Sequence, residues 1–308
     1  MDIQSIQSKL KLFFSDNKIN KIINSCEVTD INIKDNTKLS IVCTANRRSE
    51  QTYFTLKSWN YIATKNNVNF QFIIVEDTED EKYRLEKNKL VFSNLYITYV
   101  FIKNKTWINP CLNYNIGFNF IKSDYVVITN AEVCVFGNIY EKIKNNLKDD
   151  NYLVFDVCQT GFSMYDNIDT NNELHNECND FQYNSLISFL QKRNVNWLQG
   201  ININKGYHYL TAITKKTLEK VEMFDYDFSI GTRLDDRILV DKMKMYDKIK
   251  FINFFYNNHN VLGFHQWHFR NYVSNDLQST QVINRILYKF KTDYMKKHNK
   301  YIYLYNSL

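Results

Sequence analysis

From residue 38 onward, short β-branched apolar runs alternate with stretches of helical period. KLSIVCTA (38–45) ends in polar residues, and the helical segment after it carries Tyr53, Leu56, Trp59 and Ile62 as an apolar face. NFQFIIVEDTED (69–80) predicts a second strand running into an acidic loop, and LYITYVFI (95–102) predicts a third. NPCLNYNIGFNFIK (109–122) predicts a helix opened by Pro110, with Leu112, Ile116, Phe120 and Ile121 on one face. SDYVVITNAEVCVF (123–136) predicts a fourth strand interrupted by a polar turn at Asn130–Glu132, and YLVFDVCQ (152–159) a fifth. Strands alternating with helices imply parallel crossovers and a sheet covered on both faces. Ligands of such sheets bind beyond the carboxyl ends of the strands. The loops carrying Asn46–Arg47, Glu76–Asp77 and Asn130–Glu132 are therefore candidates for a single mouth.

The second half is less regular. Residues 160–205 are rich in Asn and Asp, and apart from a helix near 182–192 they predict a long mobile loop over the site. A strand at 207–214, a helix near 215–221, the helix DDRILVDKMKMY (235–246), a strand at 248–256 and a C-terminal helix over 279–297 follow. Residues 1–37 form a polar lead-in with a helix and a short extended segment. The expected organisation is a single domain: lead-in 1–37, a regular half 38–160, a less regular half 161–270, and a helical extension 271–308.

Composition narrows the function classes. The chain has 308 residues, 44% hydrophobic and 16% aromatic, enough for a sizeable core. The formal net charge of +6 is modest, and its signs alternate along most of the chain. The nearest thing to a basic block is Lys289, Lys291, Lys296, Lys297 and Lys300, expected to be a solvated helix face. Nucleic-acid motifs are absent, so a nucleic-acid partner is not expected. None of the six cysteines forms a CxxC pair, and several lie in apolar runs, as reduced, buried thiols do. With no signal-peptide pattern and no apolar stretch of membrane-spanning length, the expected compartment is the cytoplasm.

Neither GxxxxGK[ST] nor GxGxxG occurs, so a bound diphosphate needs another device. A divalent metal held by a strand-end carboxylate is the natural one, and Glu132 is the candidate. Taken alone, Glu132 is as readily an ordinary solvated carboxylate. Glu76 and Asp77 close IIVED in a similar way and could accept hydrogen bonds from a base or ribose. Asp235 and Asp236 open a helix, where acids serve as caps without further purpose.

The order of these items resembles the family 2 glycosyltransferases with the GT-A fold. SIVCTANRR, FIIVED and INPCLNYNIGFNFIKSDYVVITNAEV are similar to that family's donor half: a Thr/Asn-Arg loop, acids that grip base and ribose, an Asn-x-Gly helix and a strand ending in Asp-x-Asp. The matching residues are Thr44, Asn46 and Arg47, then Glu76 and Asp77, then Asn115 and Gly117, and last Asn130-Ala131-Glu132. Asn130 replaces the first acid of the last motif, as in a viral and bacterial subgroup with Asn-x-Glu. Phe224, Asp225, Gly231, Asp235 and Asp236 resemble the acceptor half.

The resemblance implies an α/β GT-A fold with a Rossmann-like, mainly parallel sheet. It implies an inverting transfer from a nucleotide diphosphate-sugar, UDP being the commonest base, to a glycan or other hydroxyl acceptor. Donor contacts would come from Thr44, Asn46, Arg47, Glu76, Asp77, Asn115 and Asn130. Mn²⁺ or Mg²⁺ would sit on Glu132 with a histidine of NVLGFHQWHFR (260–270). His265 and His268 would face opposite sides of a strand, so only one is expected to reach the metal, His265 by preference. Asp236 would be the general base and Asp235 an acceptor contact, an assignment that could be reversed. Trp197 is an aromatic platform for the acceptor, as Trp107 is for the donor, while Trp267 reads as core. A non-catalytic sugar- or nucleotide-binding module and a two-metal nucleotidyltransferase are the alternatives.

Overall fold

The computed structural model describes residues 2–16, 19–160, 168–200, 206–246, 248–268 and 275–304. In chain order the elements begin with α1 (Ile3–Asp16), α2 (Ile19–Ser25), β1 (Glu27–Ile31), β2 (Ser40–Ala45), α3 (Ser49–Lys65), β3 (Phe70–Glu76) and β4 (Leu95–Phe101). They continue with α4 (Cys111–Phe118), β5 (Tyr125–Thr129), β6 (Val133–Phe136), α5 (Ile139–Asn146), β7 (Asn151–Phe155), β8 (Val157–Thr160), α6 (Ile168–Glu177), α7 (Tyr183–Gln191) and β9 (Val195–Gln199). The last are β10 (Leu210–Thr214), α8 (Lys215–Lys220), α9 (Asp235–Met245), β11 (Lys250–Phe254), α10 (Tyr256–His259), β12 (Leu262–His265) and α11 (Asn275–His298).

The expected α/β class holds. An eight-stranded sheet in the order β1-β4-β3-β2-β5-β10-β7-β11 forms the centre, with a second sheet in the order β6-β12-β8-β9 beside it. β3 and β4 are buried at every position, as strands covered on both faces must be. Their side chains alternate between two cores: Phe72 and Ile74 join Leu56, Trp59 and Ile62 of α3, while Ile73 and Val75 join Leu112 and Ile116 of α4. Gly117 allows α4 to lie this close, since a Cβ there would stand 2.7 Å from Val42 Cγ1.

The central sheet is mainly parallel, as expected, with antiparallel strands at β1 and β10. β2 pairs parallel with β3 and β5, β3 with β4, and β7 with β11. β10 runs antiparallel to both β5 and β7, and β1 antiparallel to β4. Alternation of apolar side chains is the same in either strand direction, so the pattern carried no sign of this reversal.

Two runs expected to be single strands are each divided between the sheets. The chain leaves the central sheet after Thr129 and enters the small one at Val133, and it does the same across the buried Asp156. The Asn130–Glu132 turn is thus a crossing between sheets. The segment expected to be a loop over 160–205 also carries structure. β9 is the edge strand of the small sheet, and α6 and α7 place Leu174, Cys178, Phe181, Leu186 and Phe189 in a third core. Residues 161–167 and 201–205 lie outside the described residues.

The lead-in and the C-terminal extension are parts of the same body, because Ile6, Leu10, Leu287 and Leu304 share one core with α4. The expected solvated face of the final helix fails at Lys291, which is fully buried.

Candidate active site

Three chain segments bring a carboxylate and two imidazoles together. Glu132 ends the turn that leads into β6, and β6 pairs antiparallel with β12, placing Val133 opposite His265. β12 ends at His265, and the extended chain beyond it turns His268 back to the same point. His265 Nε2 lies 3.3 Å and His268 Nε2 3.4 Å from Glu132 Oε1. The three groups offer ligand atoms that all lie within 4.8 Å of one another. The expectation that only one histidine could face this point is therefore corrected. It assumed a strand continuing through 268, whereas strand alternation stops at 265.

Gln266, fully buried between the histidines, holds this arrangement. Its Nε2 donates to the carbonyls of Gln51 and Glu132 and to Thr55 Oγ1, and its backbone N–H also donates to the Glu132 carbonyl. Its Oε1 meets His175 Nε2 at 2.9 Å. Burial pushes the Glu132 carboxyl up, but hydrogen bonds and charge from His265 and His268 outweigh it and hold the group well below the usual carboxylate range. An anionic oxygen beside two imidazole nitrogens is the donor set of a first-row divalent ion, so the residues present fit a metal.

A cavity of about 370 Å³ opens beside Glu132. Thr44, Asn46, Asp77, Asn130 and Glu132 line it, as the ordered motifs require, together with Arg48, Lys105, Ile108, Pro110, Asn113, Tyr114 and His208. Asp77 organises the mouth. Its carboxylate accepts from Asn46 Nδ2 at 2.8 Å, Asn113 Nδ2 at 2.9 Å and the Lys105 ammonium. It thereby ties the loops after β2 and β4 to α4. Asn130 Oδ1 accepts from the Tyr114 hydroxyl at 3.1 Å.

Several expected donor contacts are placed elsewhere. Arg47 has a left-handed backbone (φ 54) and its guanidinium lies over the Tyr83 ring, so Arg48 rather than Arg47 lines the cavity. Glu76 is fully buried and turned away: its carboxylate accepts from the Tyr99 hydroxyl at 2.6 Å and from the Leu85 N–H. Burial pushes that carboxyl up, against these hydrogen bonds. The Asn115 amide is used in both directions by Phe224, donating to its carbonyl at 2.9 Å and accepting from its N–H at 3.0 Å. It joins α4 to the acceptor half instead of lining the cavity. The Trp107 Nε1–H is taken by Asn113 Oδ1. Trp197 stacks on Tyr256 at 4.7 Å and packs against the third core, so its ring is spent on packing. Trp267 anchors Asn171 through its backbone N–H and carbonyl.

Asp235 and Asp236 open α9 after two left-handed residues, Arg233 (φ 65) and Leu234 (φ 68). Such conformations cost about 1–3 kcal/mol each and persist where the surroundings enforce them. The enforcing group is Asn284 of α11, whose Nδ2 donates to the Phe228 and Arg233 carbonyls. Asp235 is buried and accepts from Asn109 Nδ2 at 3.0 Å. Asp236 is half-buried, and its charge acts on Tyr152 and Tyr207.

Arg48, Lys105 and His208 were not singled out from sequence. Lys105 follows a strand end within a Lys-rich chain, and Arg48 depends on one backbone torsion at Arg47. His208 lies in the run YHYLTAIT (207–214), which matches as a strand without singling out any of its side chains.

No family model matches the chain, and no curated protein matches it. Among solved structures the chain is similar to S. aureus TarS 1-349 in complex with UDP-GlcNAc, at 12% identity and a TM-score of 0.47, over 82% of this chain and 66% of that one. It is also similar to S. aureus TarS, at 12% identity and a TM-score of 0.41, over 74% and 35%. The TarS 1-349 complex with UDP gives 12% and 0.43, over 74% and 57%. The chain thus spans less than two thirds of these structures' lengths, and likenesses of this size carry no information on chemistry.

Proposed function

We propose that the chain is an inverting glycosyltransferase of GT-A type that uses a nucleotide diphosphate-sugar, UDP-sugar first among them. The observation that carries this is the convergence of His265 and His268 on Glu132, which lines a cavity together with Thr44, Asn46, Asp77 and Asn130. Asp77 and Asn46, already bonded to each other, would present the edge that receives base and ribose. Arg48 and Lys105 add positive charge beside the diphosphate. When bound by Glu132, His265 and His268, a divalent ion supplies charge against the oxygens of the leaving diphosphate. Two imidazoles beside one carboxylate suit Mn²⁺ better than Mg²⁺, which prefers oxygen ligands.

Asp236 takes the proton of the acceptor hydroxyl as that oxygen bonds to the anomeric carbon. The bond from that carbon to the diphosphate breaks, and its electron pair leaves with the diphosphate. Asp235, held by Asn109, contacts the acceptor and keeps the strained helix start in place. The acceptor is a glycan or other hydroxyl compound. Among the described residues no helix is long and apolar enough to cross a membrane, and a cytoplasmic site of action fits the reduced cysteines.

The test is incubation with Mn²⁺ and a panel of UDP-, GDP- and dTDP-sugars, reading thermal stabilisation and slow donor hydrolysis. Stabilisation by at least one donor with hydrolysis is expected. No response to any donor would remove the proposal, and binding without turnover would leave a binding module. Asp236→Asn should keep donor binding and lower transfer by about 10²–10⁴-fold.

A further inference from the structure

His208 lines the cavity and has no part in the roles assigned above. It stands just before β10, its ring edge-on to Tyr114 at 4.9 Å and to Phe224 at 5.2 Å. Nδ1 is buried and has no hydrogen-bond partner among the described residues, so of the two nitrogens Nε2 is the one assigned to the cavity that the residue lines. Burial pushes the ring's pKa down, against the charges of Asp235 and Glu132, so the imidazole is neutral at neutral pH. A neutral imidazole carries one N–H. A buried donor without an acceptor costs more than an unused lone pair, so the proton belongs on Nε2, facing the cavity.

β10 pairs with β5 so that Leu210 lies opposite Thr129, which sets His208 beside the turn to Glu132, and Ile108 and Pro110, on either side of the Asn109 that bonds Asp235, line the same cavity. Glu132 marks the side where the diphosphate leaves, and Asp235 the side where the acceptor arrives. A group bound between them is the sugar in transit. We infer that His208 donates a hydrogen bond from Nε2 to a hydroxyl of the transferred sugar and helps to set which sugar the cavity accepts. This deepens the sugar-transfer proposal and rests on it.

Calorimetric titration in Mn²⁺ separates the two ideas, with UDP and the UDP-hexoses UDP-glucose, UDP-galactose and UDP-GlcNAc as probes. For the hexose nucleotide that the wild type binds best, His208→Ala should weaken binding about tenfold, the size of one good hydrogen bond, and leave UDP within about twofold. His208→Phe keeps a ring against Tyr114 and Phe224 while removing both nitrogens. It should give the same difference, and it carries the test if the alanine variant does not fold. Equal weakening of UDP and UDP-hexose, or no change in either, would overturn the assignment of His208. A wild type that binds neither UDP nor any UDP-hexose would overturn this inference, and the sugar-transfer proposal falls with it only when the GDP- and dTDP-sugars also give no response.

Discussion

Among the described residues, the clusters of buried charge around Lys291 and around Glu132 are built in opposite ways. Around Lys291 everything is closed. Its ammonium meets Asp225 at 2.8 Å and Asp227 at 2.5 Å, and all three side chains are fully buried. The remaining valences are filled by Tyr301 on Asp225, by the Leu304 N–H on Asp227 and by the Ile302 carbonyl on Lys291. Burial lowers the Lys291 ammonium, but the two carboxylates outweigh it and raise it above its ordinary value. Around Glu132, one carboxylate faces two imidazoles at the edge of a cavity. The first cluster fastens the C-terminal tail and α11 beneath the turn that presents Asp235 and Asp236. The second gathers one carboxylate and two imidazoles beside a cavity, and it is there that a ligand is proposed to bind.

The largest effect that would sharpen this contrast comes from Lys291→Met. Removing the ammonium leaves two carboxylates buried together, at a cost of about 3–5 kcal/mol in urea unfolding. A loss below about 1 kcal/mol would mean that the tail is not held by this cluster. Asn115→Ala comes next. It leaves the Phe224 N–H and carbonyl without their partner, at a cost of about 1–3 kcal/mol. Nucleotide affinity of the folded variant should stay within about twofold. A selective loss of nucleotide affinity would return Asn115 to the ligand.

A smaller effect is a matter of pH. Burial and the Asp225 charge push the Asp227 carboxyl up to about 6 from its ordinary 3.8, with Lys291 pulling the other way. A carboxyl raised on folding contributes stability that is full below the unfolded value and lost as pH rises through the folded one. Wild-type stability should therefore contain a fall between about pH 4 and pH 6 that Asp227→Asn lacks. Parallel urea midpoints for both proteins across that window would contradict it.

Much of the donor side was legible because it depends on strand ends. Thr44, Asn46, Asp77 and Glu132 each follow an apolar run, and parallel strands place such ends on one edge. Asn115, Gly117 and Asp225 stood in ordered motifs, yet their side chains or spaces are spent on joining the halves, on helix-to-sheet contact and on the Lys291 cluster. Motif order does not distinguish these uses from ligand binding. Both histidines were named from sequence, but their convergence was hidden because it depends on β12 ending at His265. Arg48 was hidden by the left-handed turn at Arg47. The small sheet was hidden because the breaks after Thr129 and at Asp156 looked like irregularities within single strands.

The central claim is that Glu132, His265 and His268 hold a metal that serves a nucleotide diphosphate. Titration of UDP into the wild type and Glu132→Gln, each in Mn²⁺ and in EDTA, tests it most directly. The account predicts that wild-type binding weakens by about 100-fold when Mn²⁺ is removed, and that Glu132→Gln binds as weakly with Mn²⁺ as without it. Equal UDP affinity in Mn²⁺ and EDTA, or a Glu132→Gln protein that keeps the Mn²⁺ response, would contradict it.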